Sequence, residues 1–198
     1  MSLLIETICL KDGKFMNLKY HEQRAQRALQ LLYESTAKPG LEDYLKNTEF
    51  PTQGFYKCRI TYNDQFRKVE FINYEKRIVN SLKIIVDNEI SYAHKFEDRH
   101  ELNALYSKRE LCDDILIVKQ GLITDTSYAN IVFKESDHWV TPTSYLLAGT
   151  MRQNLLDKKI ITEDEIRVTD LARFKKFKLI NAMVGFDGPE IDVSNIVQ

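Results

Sequence analysis

Residues 113–142 read DDILIVKQGLITDTSYANIVFKESDHWVTP. Short apolar runs alternate with Gln120-Gly121 and, further on, with Ser136-Asp137, residue pairs suited to tight reversals. The stretch therefore predicts a meander. Strands joined this closely pair antiparallel, because a parallel pair needs a crossover of about a dozen residues or more. The same signature recurs upstream. LLIETICLKDGKFMNL, residues 3–18, predicts a hairpin turning at Asp12-Gly13, and FYKCRITYNDQFRKVEFINY, residues 55–74, one turning at Asn63-Asp64. SLKIIV, residues 81–86, is a further strand.

Helical period separates these runs. LKYHEQRAQRALQLLY, residues 18–33, places Ala25, Ala28, Leu29 and Leu32 on one stripe, with Asn17 as N-cap. AKPG, residues 37–40, ends that element, and LEDYLKN begins a short second helix at Leu41. SYAHKFEDR, residues 91–99, opens a helical stretch that ELNALYSKREL continues. GTMRQNLLDKK, residues 149–159, is a helix with Thr150 at or near its cap. EIRVTDLARF and KLINAMVGFDGPEIDV close the chain with strands and a helical turn. The fold class expected is α+β with largely antiparallel or mixed sheets. The charged connector NYEKRIVN, residues 73–80, divides an N-terminal α+β domain, 1–76, from a C-terminal domain, 77–198.

Composition narrows the function classes. With 198 residues, 43% hydrophobic and 29% charged, the chain has the make-up of a soluble globular protein. A formal net charge of −1 offers no electrostatic case for nucleic acid or an anionic membrane. No apolar run approaches the ~20 residues of a membrane span, and MSLLIETICLKDGK lacks the basic start and cleavage site of a secretion signal. Cys9, Cys58 and Cys112 stand far apart without ligand spacing, which points to buried free thiols and a cytoplasmic location. The four histidines are not spaced for a metal. Phosphate-binding nucleotide loops and the nucleophile-elbow pattern are both missing.

Four features carry possible chemistry, each with a plainer reading beside it. At 100° per residue His21 falls within the apolar stripe of the first helix and Arg24 on its margin. Arg24 is either a fork for an anion or a side chain whose stem packs while its head reaches water. Gly149-Thr150 leads into a helix whose backbone N–H groups either hold an anion or are simply capped. Asp125, between apolar strands, either faces a cationic partner or binds its own loop. Lys95, between Tyr92 and Phe96, is either a desolvated nucleophilic amine or a surface charge paired with Glu97 or Asp98.

Taken together, ETICLKDGKFMNLKYHEQRAQRALQLL, KFEDR, DDILIVKQGLITDTSYANIVF, WVTPTSYLLAGTMRQNLL and KLINAMVGFDGPEI resemble, in order, the conserved blocks of the fold-type-IV pyridoxal-phosphate enzymes. That family includes branched-chain and D-amino acid aminotransferases and aminodeoxychorismate lyase, and the resemblance runs from about residue 5 to about 192. It implies two small α/β domains of the D-amino acid aminotransferase type, the second a cofactor-binding pseudo-barrel, and a cytoplasmic homodimer. It implies pyridoxal 5'-phosphate as cofactor and a small amino compound as substrate. Lys95 would form the Schiff base with the cofactor aldehyde and move the proton on the substrate carbon. Arg24, Gly149 and Thr150 would hold the phosphate. Asp125 would pair with the pyridine nitrogen, with Ala129 and Asn130 following beside the ring. Asn181 and Ala182 would flank the substrate.

KFEDR is nearer the lyase pattern than that of the branched-chain enzymes, so pyruvate elimination to p-aminobenzoate, a step of folate biosynthesis, is the leading expectation. An aminotransferase for D- or branched-chain amino acids is the alternative, and a non-catalytic cofactor- or metabolite-binding homologue is another. Lys57 and Arg59, two apart on one strand, share a face and either receive a substrate carboxylate or face solvent. Two departures stand out. Asp125 replaces the family's usual Glu, one methylene longer. Measured on the family pattern, the chain also starts near its second strand, which would leave the first domain's N-terminal strands shortened and the substrate side more open.

Overall fold

The computed structural model describes residues 2–35 and 40–198 and divides into two compact units, residues 1–76 with 94–98, and residues 77–93 with 99–198. The AKPG stop lies outside the described residues except for Gly40.

The first unit is an antiparallel sheet in the order β2-β1-β3-β4, built from β1 (Leu4–Lys11), β2 (Lys14–Phe15), β3 (Phe55–Tyr62) and β4 (Phe66–Asn73). Asp12 and Gly13 both take positive φ, 46° and 74°, the geometry whose twist suits a two-residue hairpin. Helices α1 (Leu18–Tyr33) and α2 (Leu41–Lys46) pack on one face. The period-2 alternation of β1 sends Leu4, Ile8 and Leu10 into a core with Ala25, Ala28 and Leu29 of α1, Leu41 and Leu45 of α2, and Cys58, Ile60 and Tyr62 of β3. Leu32 stays 40% exposed, so the buried stripe of α1 ends at Leu29. Asn17 does stand at the N-cap, but at φ 55° and with no capping hydrogen bond from its side chain.

The second unit begins with β5 (Leu82–Val86), α3 (His100–Tyr106) and a short 3-10 turn at Ser107–Arg109. It continues through the meander β6 (Asp114–Lys119), β7 (Leu122–Thr126), β8 (Asn130–Glu135) and β9 (His138–Pro142), then α4 (Thr150–Asp157) and β10 (Ile161–Asp164). β11 (Lys176–Ile180), β12 (Ile191–Asp192) and β13 (Ile196–Val197) follow. The order is β10-β9-β8-β7-β6-β5-β13, with β11 pairing β8 and β12. The meander is antiparallel, while β5–β6, β5–β13 and β9–β10 are parallel, so the sheet is mixed. Gln120 and Gly121 turn with φ 52° and 78°. Phe133, Phe174, Phe177, Leu116, Ile131 and Leu179 lead its main core.

One reading from local pattern is corrected. Residues 91–99 form no helix, which starts only at His100. The helical turn expected near the C-terminus falls at Val168–Arg173 as a 3-10 segment, ahead of strand β11. Of the thiols, Cys9 and Cys58 are buried, but Cys112 is only half-buried. Among the described residues, no helix is long and apolar enough to cross a membrane, and no group of His, Cys, Asp or Glu could hold a metal ion.

Candidate functional site

Lys95 lies in an irregular segment, not on a helix, and backbone contacts with β1 hold it. Ile5 N–H donates to Lys95 O at 2.9 Å, Glu97 N–H donates to Leu3 O at 2.8 Å, and Leu4 bridges Phe96 antiparallel. Phe96 packs against the first unit's core, so the segment is fixed on both sides of the lysine. Residues 94–98 belong to the first unit for this reason, although residues 77–93 and 99 onward belong to the second. Lys95 is half-buried.

Arg24 is not a surface charge. It is 8% exposed, and its guanidinium meets Glu6, a residue with no solvent exposure at all. Nε donates to Glu6 Oε1 at 3.0 Å and Nη2 to Glu6 Oε2 at 2.6 Å, while His21 Nδ1 lies 2.5 Å from Oε2. Burial alone would raise the Glu6 carboxyl, but the Arg24 charge and the His21 contact outweigh it and hold it at about 2. Burial lowers the His21 imidazole, and the charges of Arg24 and Lys95 lower it further against the pull of Glu6. An ionised Glu6 can only accept, so His21 Nδ1–H is the donor of that contact. Glu6 was missed in the sequence, though its phase with Leu4, Ile8 and Leu10 places it on the buried face.

Lys57 and Arg59 share the opposite face of that sheet, in register with Cys9 and Thr7. Arg59 is already engaged: Nη2 donates to Glu97 at 2.7 Å, and Nη1 to Thr61 at 3.1 Å and to Glu70 at 3.3 Å.

In the second unit, Asp125 is paired across the β7–β8 hairpin with Asn130. The carboxylate is 6% exposed and accepts from Asn130 Nδ2 at 2.7 Å, Leu146 N–H at 3.1 Å and Leu147 N–H at 2.9 Å. Burial raises its pKa to about 6, against those three hydrogen bonds and the Arg152 charge. Asn130 Nδ2 also donates to Leu147 O at 3.0 Å. Ala129 shapes the hairpin turn, its O accepting from Thr126 N–H and Oγ1. The 146–147 loop runs straight into α4, where Gly149 is the N-cap and Thr150 is buried. A Cβ on Gly149 would sit 1.8 Å from Asn130 Oδ1, so only glycine fits beside that amide. Asp125, Asn130, Gly149 and Thr150 thus form one connected structure. Asn181 is committed to its own turn: Oδ1 accepts from Met183 and Val184 N–H at 2.8 and 2.9 Å, and Ala182 is half-buried beside it.

The donor set fits a phosphorylated pyridine aldehyde. The first unit holds an amine, Lys95, and a buried guanidinium, Arg24; the second, taken by itself, holds the start of an eight-residue helix and a buried carboxylate with three of about four acceptor positions filled by described residues, and each is a group type that such a cofactor needs.

Residues 94–186 match the family model for amino-transferase class IV. An uncharacterised protein of Haemophilus influenzae is 34% identical over 185 residues, spanning 92% of this chain and 98% of its own. The crystal structure of a provisionally named 4-amino-4-deoxychorismate lyase from Haemophilus somnus superposes with a TM-score of 0.87 at 35% identity, over 94% of this chain and 98% of that one. A pyridoxal-phosphate-bound hypothetical aminotransferase from Mycobacterium tuberculosis shares the fold, with a TM-score of 0.80 at 18% identity over 98% of this chain and 81% of its own.

Proposed function

The chain belongs to the amino-transferase class IV family of pyridoxal-phosphate-dependent enzymes, and from that premise we propose that it eliminates pyruvate from aminodeoxychorismate to leave p-aminobenzoate. The observation that carries this reading is the likeness to the Haemophilus somnus protein named for that activity, at 35% identity over nearly the full length of both chains. KFEDR at Lys95 supports the same branch.

In this reading Lys95 Nζ holds the cofactor aldehyde and moves the proton on the substrate carbon. The cofactor, when bound, supplies an electron sink for the substrate carbanion. Arg24 and the N–H groups at Gly149-Thr150 hold its phosphate. Asp125, ionised above about pH 6, offers a carboxylate to a protonated ring nitrogen. Ala129 and Asn130 set the hairpin that carries Asp125. Asn181 and Ala182 flank the substrate by position, and Lys57 and Arg59 are the cations available to a substrate carboxylate. The assembly expected is a homodimer, which light scattering measures directly.

The amino-transferase match itself favours the second reading, transfer of the amino group to a keto acid. Purified protein incubated with pyridoxal phosphate should turn yellow, and Lys95→Ala should lose the visible band. Pyruvate released from aminodeoxychorismate without added keto acid supports the lyase. Turnover only with a keto acid supports the transferase, and a colourless protein sinks both.

A further inference from the structure

Glu6 has no part in the chemistry set out above, yet it is the most completely buried charge of the first unit. It stands in β1 in phase with Leu4, Ile8 and Leu10, and its side chain has no solvent exposure. A carboxylate in that position costs several kcal/mol unless it is paired and hydrogen-bonded. Both oxygens are used. Oε1 takes Arg24 Nε, and Oε2 takes Arg24 Nη2 together with His21 Nδ1. Two parallel bonds to one edge of a guanidinium fix its plane as well as its place. His21 and Arg24 sit three apart on α1, on neighbouring positions of one helix face. Helix and strand are therefore tied by a side-chain contact made entirely inside the core.

Resting on the proposed role of Arg24 as a phosphate ligand, we infer that Glu6, supported by His21, is the positioning residue for Arg24. The arrangement has a stated consequence. Glu6 cancels the formal charge of Arg24, so the guanidinium contributes to anion binding mainly through the direction of its donors and less through net charge. Losing the clamp should hurt phosphate recognition even though it removes a negative charge from the neighbourhood. A purely electrostatic role predicts the opposite sign.

The test compares affinity for pyridoxal phosphate with that for pyridoxal, which lacks the phosphate, in the full-length protein. Wild type should prefer the phosphorylated form, and Arg24→Ala should lose that preference. Glu6→Gln keeps the size of the side chain and removes the paired charge. It should cut the preference about 10-fold, equivalent to roughly 1.4 kcal/mol, with pyridoxal affinity little changed. Glu6→Asp keeps the charge but withdraws the carboxylate, and is read in the same way should Glu6→Gln not fold. A preference retained or increased in these variants overturns the positioning role while leaving the function proposal standing. Wild type that binds no pyridoxal phosphate overturns both.

Discussion

At the scale of the residue, the informative side chains are buried acids. Asp125 and Glu6 are both nearly or wholly inaccessible, yet burial dominates one and partners dominate the other. Among the described residues Asp125 has neutral hydrogen-bond donors in contact, so desolvation prevails and its pKa rises to about 6. Glu6 touches a guanidinium and falls to about 2. The two acids therefore bend the stability curve in opposite directions. A carboxyl raised in the folded state favours folding while it is protonated, so the Asp125 contribution is present below about pH 4 and is lost as pH rises through about 6. The size is about 3 kcal/mol. Cofactor-free protein should lose stability over that interval in denaturant titrations, and Asp125→Asn should flatten the slope. An unchanged slope in the variant would show that Asp125 is not the group responsible. Neither acid's behaviour was readable from the sequence, because it depends on burial by the fold and on partners 5 to 22 residues away in the chain.

At the scale of the element, tight turns were the legible part of the fold. Asp12-Gly13 and Gln120-Gly121 adopt the positive φ values their residue types allow at low cost, and both hairpins follow. The pattern around Lys95 predicts a helix, but the lysine lies in an irregular segment before α3. KFEDR has helical composition, yet the segment is claimed by the edge of β1 opposite β3, a long-range pairing that local propensity cannot report. The start of α4 was legible as a helix start, but the reason for Gly149 was not. Glycine is required there because Asn130 Oδ1 occupies the space a side chain would need. Gly149→Ala should force the Asn130 amide off both Asp125 and Leu147. Thermal or chemical unfolding should show a loss of about 2 kcal/mol, in the range of overpacked core substitutions. Pyridoxal phosphate binding should weaken together with stability, since one movement disturbs the loop before α4 and the carboxylate behind it. A fully stable Gly149→Ala protein with unaltered binding would mean that the Asn130 amide has room to swing aside.

At the scale of the whole molecule, the chain path itself places Lys95. The polypeptide leaves the second unit after Ala93, contributes residues 94–98 to the first, and returns at Arg99. The contacts holding that excursion include two backbone hydrogen bonds, the Leu4–Phe96 bridge, the Arg59–Glu97 ion pair and the Phe96 ring on the core. The ion pair is partly exposed and adds little, whereas the Phe96 ring packs against the buried core of the first unit. Phe96→Ala should therefore open the segment locally without unfolding the sheet. The amide of Ile5 is a clean reporter, because it donates to Lys95 O and so points away from β3, the strand paired with β1 on its other side. Hydrogen exchange at Ile5 should speed up about 10-fold or more in the variant, corresponding to roughly 1.4 kcal/mol or more of lost local stability. Neighbouring β1 amides directed at β3 should keep their protection. On the proposed role of Lys95, capture of pyridoxal phosphate should slow in parallel, since a wandering backbone no longer presents the amine in one place. If Ile5 exchanges at the wild-type rate, the Phe96 ring is not what holds the lysine, and the backbone pairing with β1 is sufficient by itself.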